Sequence, residues 1–263
     1  MQKFTLLLFT LFILTACGKF EYSPNQAFDE NTPRNINEIN INRILSTPGD
    51  DTIRFVLSGD SQRSYDSDVK FVELVNQTPN VDFVVLDGDI SDFGLLQEYK
   101  WIDEIYKKLK VPYVGVIGNH DYQGNGEKIY ENIYGAKNFS FIYHGLKFVC
   151  HDTNSLENYN DGTTPDINWL QTQFDDPNVS GFVPIGHVPP FSAEFDRKLE
   201  EPYKNILNGP KLICALYAHV GKTDTYHPYE EAAPYITTGG LDNRQYMIIE
   251  IVNGKLNTKV VKY

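Results

Sequence analysis

Five short apolar runs punctuate the chain, and each stops at polar residues. Ile53-Arg54-Phe55-Val56-Leu57 ends at Ser58-Gly59-Asp60-Ser61-Gln62, and Val81-Asp82-Phe83-Val84-Val85-Leu86 ends at Asp87-Gly88-Asp89-Ile90-Ser91-Asp92. Tyr113-Val114-Gly115-Val116-Ile117 ends at Gly118-Asn119-His120-Asp121, Phe182-Val183-Pro184-Ile185 at Gly186-His187, and Leu212-Ile213-Cys214-Ala215-Leu216-Tyr217 at Ala218-His219. Runs this short, rich in Val, Ile and aromatic residues, predict buried strands. Between them, Val69, Phe71, Val72, Leu74 and Val75 predict one apolar helical face and the stretch 95–109 another. Trp101 and Trp169 are expected on the core sides of their helices. The strand–helix–strand order predicts an α/β domain around a largely parallel sheet, in which sites form beyond the carboxyl ends of the strands. The stretches 246–252 and 255–261 flank Asn253-Gly254, a hairpin signal, so antiparallel pairing is expected as well.

The first residues read as an address. Lys3 precedes an apolar run over 4–14, broken only by Thr5 and Thr10. That length suits a signal-peptide core and falls short of the roughly 20 residues that span a bilayer. The run ends in Leu14-Thr15-Ala16-Cys17-Gly18, which resembles the lipobox of bacterial lipoproteins. The resemblance implies a signal peptide over 1–16, a lipid anchor on Cys17, and a place in the bacterial cell envelope, periplasmic or surface-exposed. An ordinary secretory signal cut after Ala16 is the alternative. Residues 17–51 are polar, with Pro at 24, 33 and 48, and are expected to be a tether. Ile36, Ile39, Ile41 and Ile44 offer a way to dock part of it on the folded domain, 52–263.

Composition narrows the classes. Asp and Glu total 35 against 23 for Lys and Arg, a formal charge of −12, which disfavours a dedicated nucleic-acid backbone binder. Hydrophobic residues at 41% and charged residues at 22% exclude global disorder. Three cysteines are too few for a disulfide scaffold at this length. Cys150 and Cys214 sit inside apolar runs and are expected to be buried thiols.

Asp, Asn, Gln and neutral imidazole are hard to borderline ligands, suited to Mn, Fe, Zn or Mg rather than Cu(I). Two ions need a shared carboxylate, and the chemistry needs an acid outside the ligand shell. In order and spacing, the five run-end segments resemble the calcineurin-like metallophosphoesterases over 52–263. The likeness extends to Gly186-His187-Val188-Pro189-Pro190 and Tyr235-Ile236-Thr237-Thr238-Gly239-Gly240. It implies an α/β/β/α sandwich, two mixed central sheets flanked by helices. It also implies hydrolysis of a phosphate ester by a metal-bound hydroxide in a dinuclear site holding Mn, Fe or Zn. Asp60 and Gln62 match first-metal ligands, Asp89 the bridging carboxylate, and Asn119, His187 and His219 the second-metal ligands. His120 matches the histidine facing the leaving group, and Asp92 the carboxylate that orients it. Asn119 and Arg63 are expected at the substrate.

One departure stands out. Where the family reads Gly-His-x-His, this chain reads Ala218-His219-Val220-Gly221, so the first site loses an imidazole and is expected to be the weaker. His227 is a candidate replacement ligand, and the Lys222 ammonium a candidate stand-in for the ion itself. His151, ending an apolar run, is a candidate neighbour of the site. The rival reading is a degenerate, non-catalytic binding module of the same fold. The sequence leaves the oligomeric state and the choice between mono- and diester open. The lack of length for a cap domain leans towards a small or exposed monoester.

Overall fold

Successive side chains of β1 (Thr52–Ser58) and β2 (Phe83–Asp87) enter two different buried layers. Phe55, Leu57, Phe83 and Val85 face one layer, and Val56, Val84 and Leu86 the other. A strand buried on both faces must be apolar at every position, which is why these runs show no alternation. The computed structural model describes residues 27–48, 52–228 and 232–263. The expected signal peptide, Cys17 and the first part of the tether lie outside them.

Two mixed sheets stack face to face. The first has the order β11-β10-β1-β2-β3, with β3 at Tyr113–Val116, β10 at Gln245–Val252 and β11 at Lys255–Lys262. Strands β1, β2 and β3 are parallel, and the β10–β11 hairpin adds antiparallel to β1. Asn253 and Gly254 turn that hairpin with φ of 51° and 74°, the left-handed pair that two-residue turns demand. The second sheet has the order β4-β5-β6-β7-β9-β8. Its strands are β4 (Phe139–Tyr143), β5 (Leu146–Cys150), β6 (Gly181–Ile185), β7 (Ala215–Tyr217), β8 (Asp224–Tyr226) and β9 (Tyr235–Thr237). Its edge strands β4 and β8 run antiparallel to the four parallel strands between them.

Aromatic rings weld the sheets together. Phe55 stacks on Phe83 at 5.1 Å and Phe141 on Phe148 at 5.0 Å, and the two pairs meet edge to face. Helices α2 (Tyr65–Val75), α3 (Leu96–Tyr106) and α4 (Gly126–Ile133) cover the outer face of the first sheet. Helices α5 (Ile167–Phe174) and α6 (Arg197–Leu207) cover that of the second. The expected sandwich is therefore the observed one. Cys150 and Cys214 are free and buried.

Some details differ from the sequence reading. Within the expected tether, 36–46 form α1 (Ile36–Ser46), which lies against β3 and β4, one edge strand from each sheet. Ile36 and Ile44 are buried, Ile41 is half-buried, and Ile39 is exposed. The Asn37 carboxamide donates to Gly115 O at 2.9 Å and accepts from Gly115 N at 2.8 Å, so this helix completes the exposed edge of β3. The packed unit thus begins before residue 52. Val69 is 43% exposed, because Asp68, Phe71, Val72 and Val75 set the buried face of α2. Trp101 is 50% exposed and rests edge-on against Tyr65 at 5.7 Å, off the face set by Tyr99, Ile102 and Tyr106. Trp169 is half-buried against the outer core of the second sheet. The last apolar run is only partly strand: Leu212 makes an isolated bridge with Phe182, and β7 proper starts at Ala215.

Two outcomes follow from these packing features. Asn37→Ala orphans Gly115 N and leaves Gly115 O to the Tyr130 hydroxyl, and urea unfolding should show a loss of about 1–3 kcal/mol. A loss below about 0.5 kcal/mol would detach α1 from the folding unit. Asp68 is buried on α2, with Oδ1 accepting from the Tyr106 hydroxyl at 3.0 Å and Oδ2 lacking a partner among the described residues. Burial holds its carboxyl well above the usual range. The unfolded chain loses that proton at lower pH than the folded one, so stability falls as pH rises through the ordinary carboxylate range and above. Asp68→Asn should flatten that decline and be more stable than the parent at pH 7, as read from urea midpoints between pH 4 and 8.

Candidate active site

The loops after β1, β2, β3, β6 and β7 gather at the carboxyl ends of both sheets. The β1 and β2 loops are sewn together by Asp60 N to Gly88 O at 3.2 Å and Gln62 N to Asp89 O at 3.0 Å. The fit is too close for side chains at two positions. A Cβ on Gly88 would stand 2.3 Å from His187 Nδ1, and one on Gly118 would stand 2.0 Å from Asp89 N. Asp60, Asp89 and His219 all adopt left-handed backbone, with φ of 52°, 53° and 67°. Such conformations cost about 1–3 kcal/mol each and persist where surrounding structure enforces them.

Asp60, Asp89 and His187 form a buried cluster whose ligand atoms lie within 4.8 Å of one another. His187 Nδ1 donates to Asp87 O at 2.7 Å, which fixes the ring and turns Nε2 towards Asp89 Oδ2 at 3.3 Å. Asp89 also accepts from Gln62 Nε2 at 3.3 Å and from His120 N at 2.9 Å. His219 sits between Asn119 Oδ1, 3.1 Å from its Nδ1, and Glu194 Oε2, 3.2 Å from its Nε2, with its ring 5.3 Å from that of His187. The six residues expected around metal thus stand in one connected group.

The group is short of positive charge. Burial pushes Asp60 up to about 7 and Asp87 up to about 8. Burial also opposes ionisation of Asp89, yet the His187 imidazole holds that carboxyl below its usual range. The same pairing, against burial, raises His187 to about 10. His219, depressed by burial and by the neighbouring His187, falls to about 4. Asp60 Oδ2 and Gln62 Oε1 are buried without a hydrogen-bond partner among the described residues. Buried acceptors left unpaired are costly. A divalent cation would satisfy them, and carboxylate, carboxamide and imidazole suit one of hard to borderline character. The site's own residues therefore fit a metal.

His120 stands outside this group, partly open to solvent. Its Nδ1 donates to Asp92 O at 3.0 Å and lies 3.5 Å from Asp92 Oδ1. Asp92 thus holds the ring through its backbone carbonyl, with its carboxylate standing close by. Arg63, expected at the substrate, instead pairs through Nε with Asp92 Oδ1 at 3.0 Å, its side chain 63% exposed. That ion pair anchors the loop bearing Asp92.

Other candidates fall away from the site. His151 is buried with Nδ1 donating to Val149 O at 3.0 Å and Nε2 accepting from Tyr203 at 2.8 Å, and burial lowers it to about 4, a neutral core histidine. Strand β8 runs antiparallel to β9, and Tyr226 pairs with Tyr235 at the start of β9. His227 therefore lies at the end of the sheet opposite His219 and cannot replace the lost ligand. Lys222 Nζ pairs with Asp224 at 2.9 Å on the surface.

The sequence reading also assigned no role to Asp121, which is fully buried. It accepts from Ile90 N at 3.2 Å, Ser91 N at 2.8 Å, Ser91 Oγ at 2.9 Å, Tyr99 Oη at 2.9 Å and Gly118 N at 2.9 Å. One carboxylate thereby clamps the Asp89–Asp92 loop to the Asn119–His120 loop. The sequence signal was its place directly after Asn119-His120.

Comparison with known proteins gives the family and the fold. The family model for calcineurin-like phosphoesterase matches residues 53–222. A probable glycerophosphodiester phosphodiesterase, GpdQ, of Arcobacter nitrofigilis is 41% identical over 56 residues. That stretch is 21% of this chain and 20% of the relative, so the match spans about a fifth of that protein. Among solved structures, GAP50, the anchor in the inner membrane complex of Plasmodium, superposes with a TM-score of 0.63 at 16% identity over 80% of this chain and 84% of its own. A dimetal phosphatase from Danio rerio gives 0.63 at 12% identity over 80% and 99%. Purple acid phosphatase PPD1 from yellow lupin gives 0.60 at 12% over 82% and 53%. At these identities the structures speak for the fold.

Asp121→Ala should be among the most damaging single changes near the site. It orphans three backbone N–H groups in a dry interior, each costing about 1–3 kcal/mol. Urea unfolding should show a loss above about 3 kcal/mol, with Asp121→Asn milder because its carboxamide keeps one acceptor oxygen. A loss under about 1 kcal/mol for Asp121→Ala would show that the two loops are held by something else.

Proposed function

Because the chain belongs to the calcineurin-like phosphoesterases, a family of metal-dependent phosphoric ester hydrolases, we propose that it hydrolyses a phosphate ester at the cluster around Asp89. The observation that carries this reading is the pairing of two features. A buried, charge-deficient group of acids and imidazoles stands beside a separate, solvent-reachable histidine that is already oriented. In this reading Asp60, Gln62 and Asp89 hold a first divalent ion, and Asp89, Asn119, His187 and His219 a second. Such ions supply charge neutralisation at the phosphoryl oxygens and lower the pKa of bound water.

The chain's own residues do the rest. The Asn119 carboxamide turns Oδ1 towards His219, which leaves its Nδ2 to donate to an equatorial phosphoryl oxygen. His120 keeps Nδ1–H on Asp92 O, so Nε2 is the nitrogen that carries a proton to the departing oxygen. Arg63 contributes by pairing with Asp92 and keeping the loop beneath His120 in place.

The binding-module reading draws on the imidazole missing at Gly221 and on a fold neighbour described as an anchor. The oriented His120–Asp92 pair favours the enzyme, since a binder has no use for a positioned proton donor. The relative named as a glycerophosphodiester phosphodiesterase makes diesters the first substrates to try beside monoesters.

His120→Ala tests the assignment. It should lower kcat by about 10²–10⁴-fold on an alkyl phosphate, whose leaving group needs a proton. The drop should be much smaller on a nitrophenyl ester, while metal content stays unchanged. Equal losses on both substrates would remove His120 from the proton-donor role.

A further inference from the structure

The first site retains three of its expected donors, Asp60, Gln62 and Asp89, and the position that would supply a fourth is Gly221. The loop 239–243 comes to that gap from the other side. Leu241 is fully buried and its N–H donates to Gly59 O at 3.0 Å, which pins the loop to the segment carrying Asp60. Gly240 makes the turn with φ of +73°. A Cβ on Gly240 would stand 2.7 Å from Asp60 Oδ2 and equally 2.7 Å from Asp242 Oδ1, so those oxygens are separated by no more than twice that distance. Asp60 is 7% exposed, and this Oδ2 is the oxygen left without a hydrogen-bond partner among the described residues.

The next residue, Asn243, lies beside the position of the lost imidazole. Asn243 Nδ2 donates to Gly221 O at 3.2 Å, Gly239 O at 3.0 Å and Asp242 Oδ1 at 2.9 Å. A Cβ on Gly221 would meet that same Nδ2 at 3.8 Å. The loop therefore brings an amide to the vacant position and a carboxylate to the orphaned oxygen of Asp60. Asp242 itself is exposed, with Oδ1 accepting from Asn243 Nδ2.

We propose that Asp242 completes the first metal site, replacing the imidazole absent at Gly221 with a carboxylate. This rests on the phosphoesterase reading of the site. It changes the chemistry of the pair: Asp60, Gln62, Asp89 and Asp242 offer oxygen donors alone, whereas the second site offers two imidazoles. Oxygen-only sets suit Mn and Mg, while imidazole suits Zn and Fe. The two positions thus differ in metal preference, with Mn favoured at the first and Zn tolerated best at the second.

The test is Mn²⁺ titration of the full chain by calorimetry, with metal analysis after dialysis. The parent should hold two ions. Asp242→Asn keeps the shape of the loop and should weaken the first ion alone by at least about tenfold, since even loss of an outer partner costs about 10–100-fold in metal affinity. Asp242→Asn with Gly221→His should regain two ions and shift the first site's preference from Mn towards Zn. Two ions held equally tightly by the parent and Asp242→Asn would overturn the proposal, as would one ion in both. A parent that binds no divalent metal at all would instead overturn the phosphoesterase reading beneath it.

Discussion

The clamp made by the Asp121 carboxylate is the constraint on which the catalytic end of the molecule depends. Its hydrogen bonds run to the loop after β2 and to the loop after β3 at once, so Asp89 and His120 cannot move independently. That coupling lets a residue of one loop support a residue of the next: His120 N donates to Asp89, and Asp92 O accepts from His120 Nδ1. A buried carboxylate with donors on every side also rigidifies its surroundings, because each donor would be orphaned by a shift of any other. The left-handed backbone at Asp60, Asp89 and His219 is tolerable only within such a framework.

The cost of assembling acids in a dry site is set against the sandwich beneath them. The stacked and edge-on phenylalanines between the sheets and the tyrosine-rich layer under α2–α4 supply the burial that offsets it. Asp60, Asp87 and Asp89 share one strongly interacting imidazole, His187, and that ring is aimed by a backbone carbonyl rather than by another charge. The arrangement is electrically incomplete by construction. A site left short of positive charge gives up stability that a bound cation would restore, which is the usual balance at functional sites.

Much of this was legible in the chain because central strands buried on both faces leave unbroken apolar runs. The ligand-bearing loops must begin where those runs stop. Residues adjacent to a run, such as Asp60, Asn119 and His187, could therefore be singled out from the sequence, and the family resemblance supplied the roles expected of them. What escaped depends on meetings between distant segments. Arg63 is drawn to Asp92 by a loop crossing that no periodicity encodes, and the loop bearing Asp242 is brought beside Asp60 by the hydrogen bond of Leu241 to Gly59. His227 was misjudged by counting along the chain, when the antiparallel direction of β8 carries it to the far end of the sheet. In helix α1 the docking isoleucines were legible, and Ile36, Ile41 and Ile44 do pack on the domain, whereas the Asn37 carboxamide's bonds to Gly115 had no sequence signal.

The outermost strand of the first sheet, β11, has a further consequence. Among the described residues no strand pairs with its outer edge, and most of its side chains are exposed. Such an edge is a template for a strand from another molecule. Lys255, Lys259 and Lys262 lie along it, and a second copy docking there in cross-β fashion would have to crowd ammonium groups against its own. Among the described residues this edge carries charge rather than cover, the kind of device that opposes lateral sheet growth.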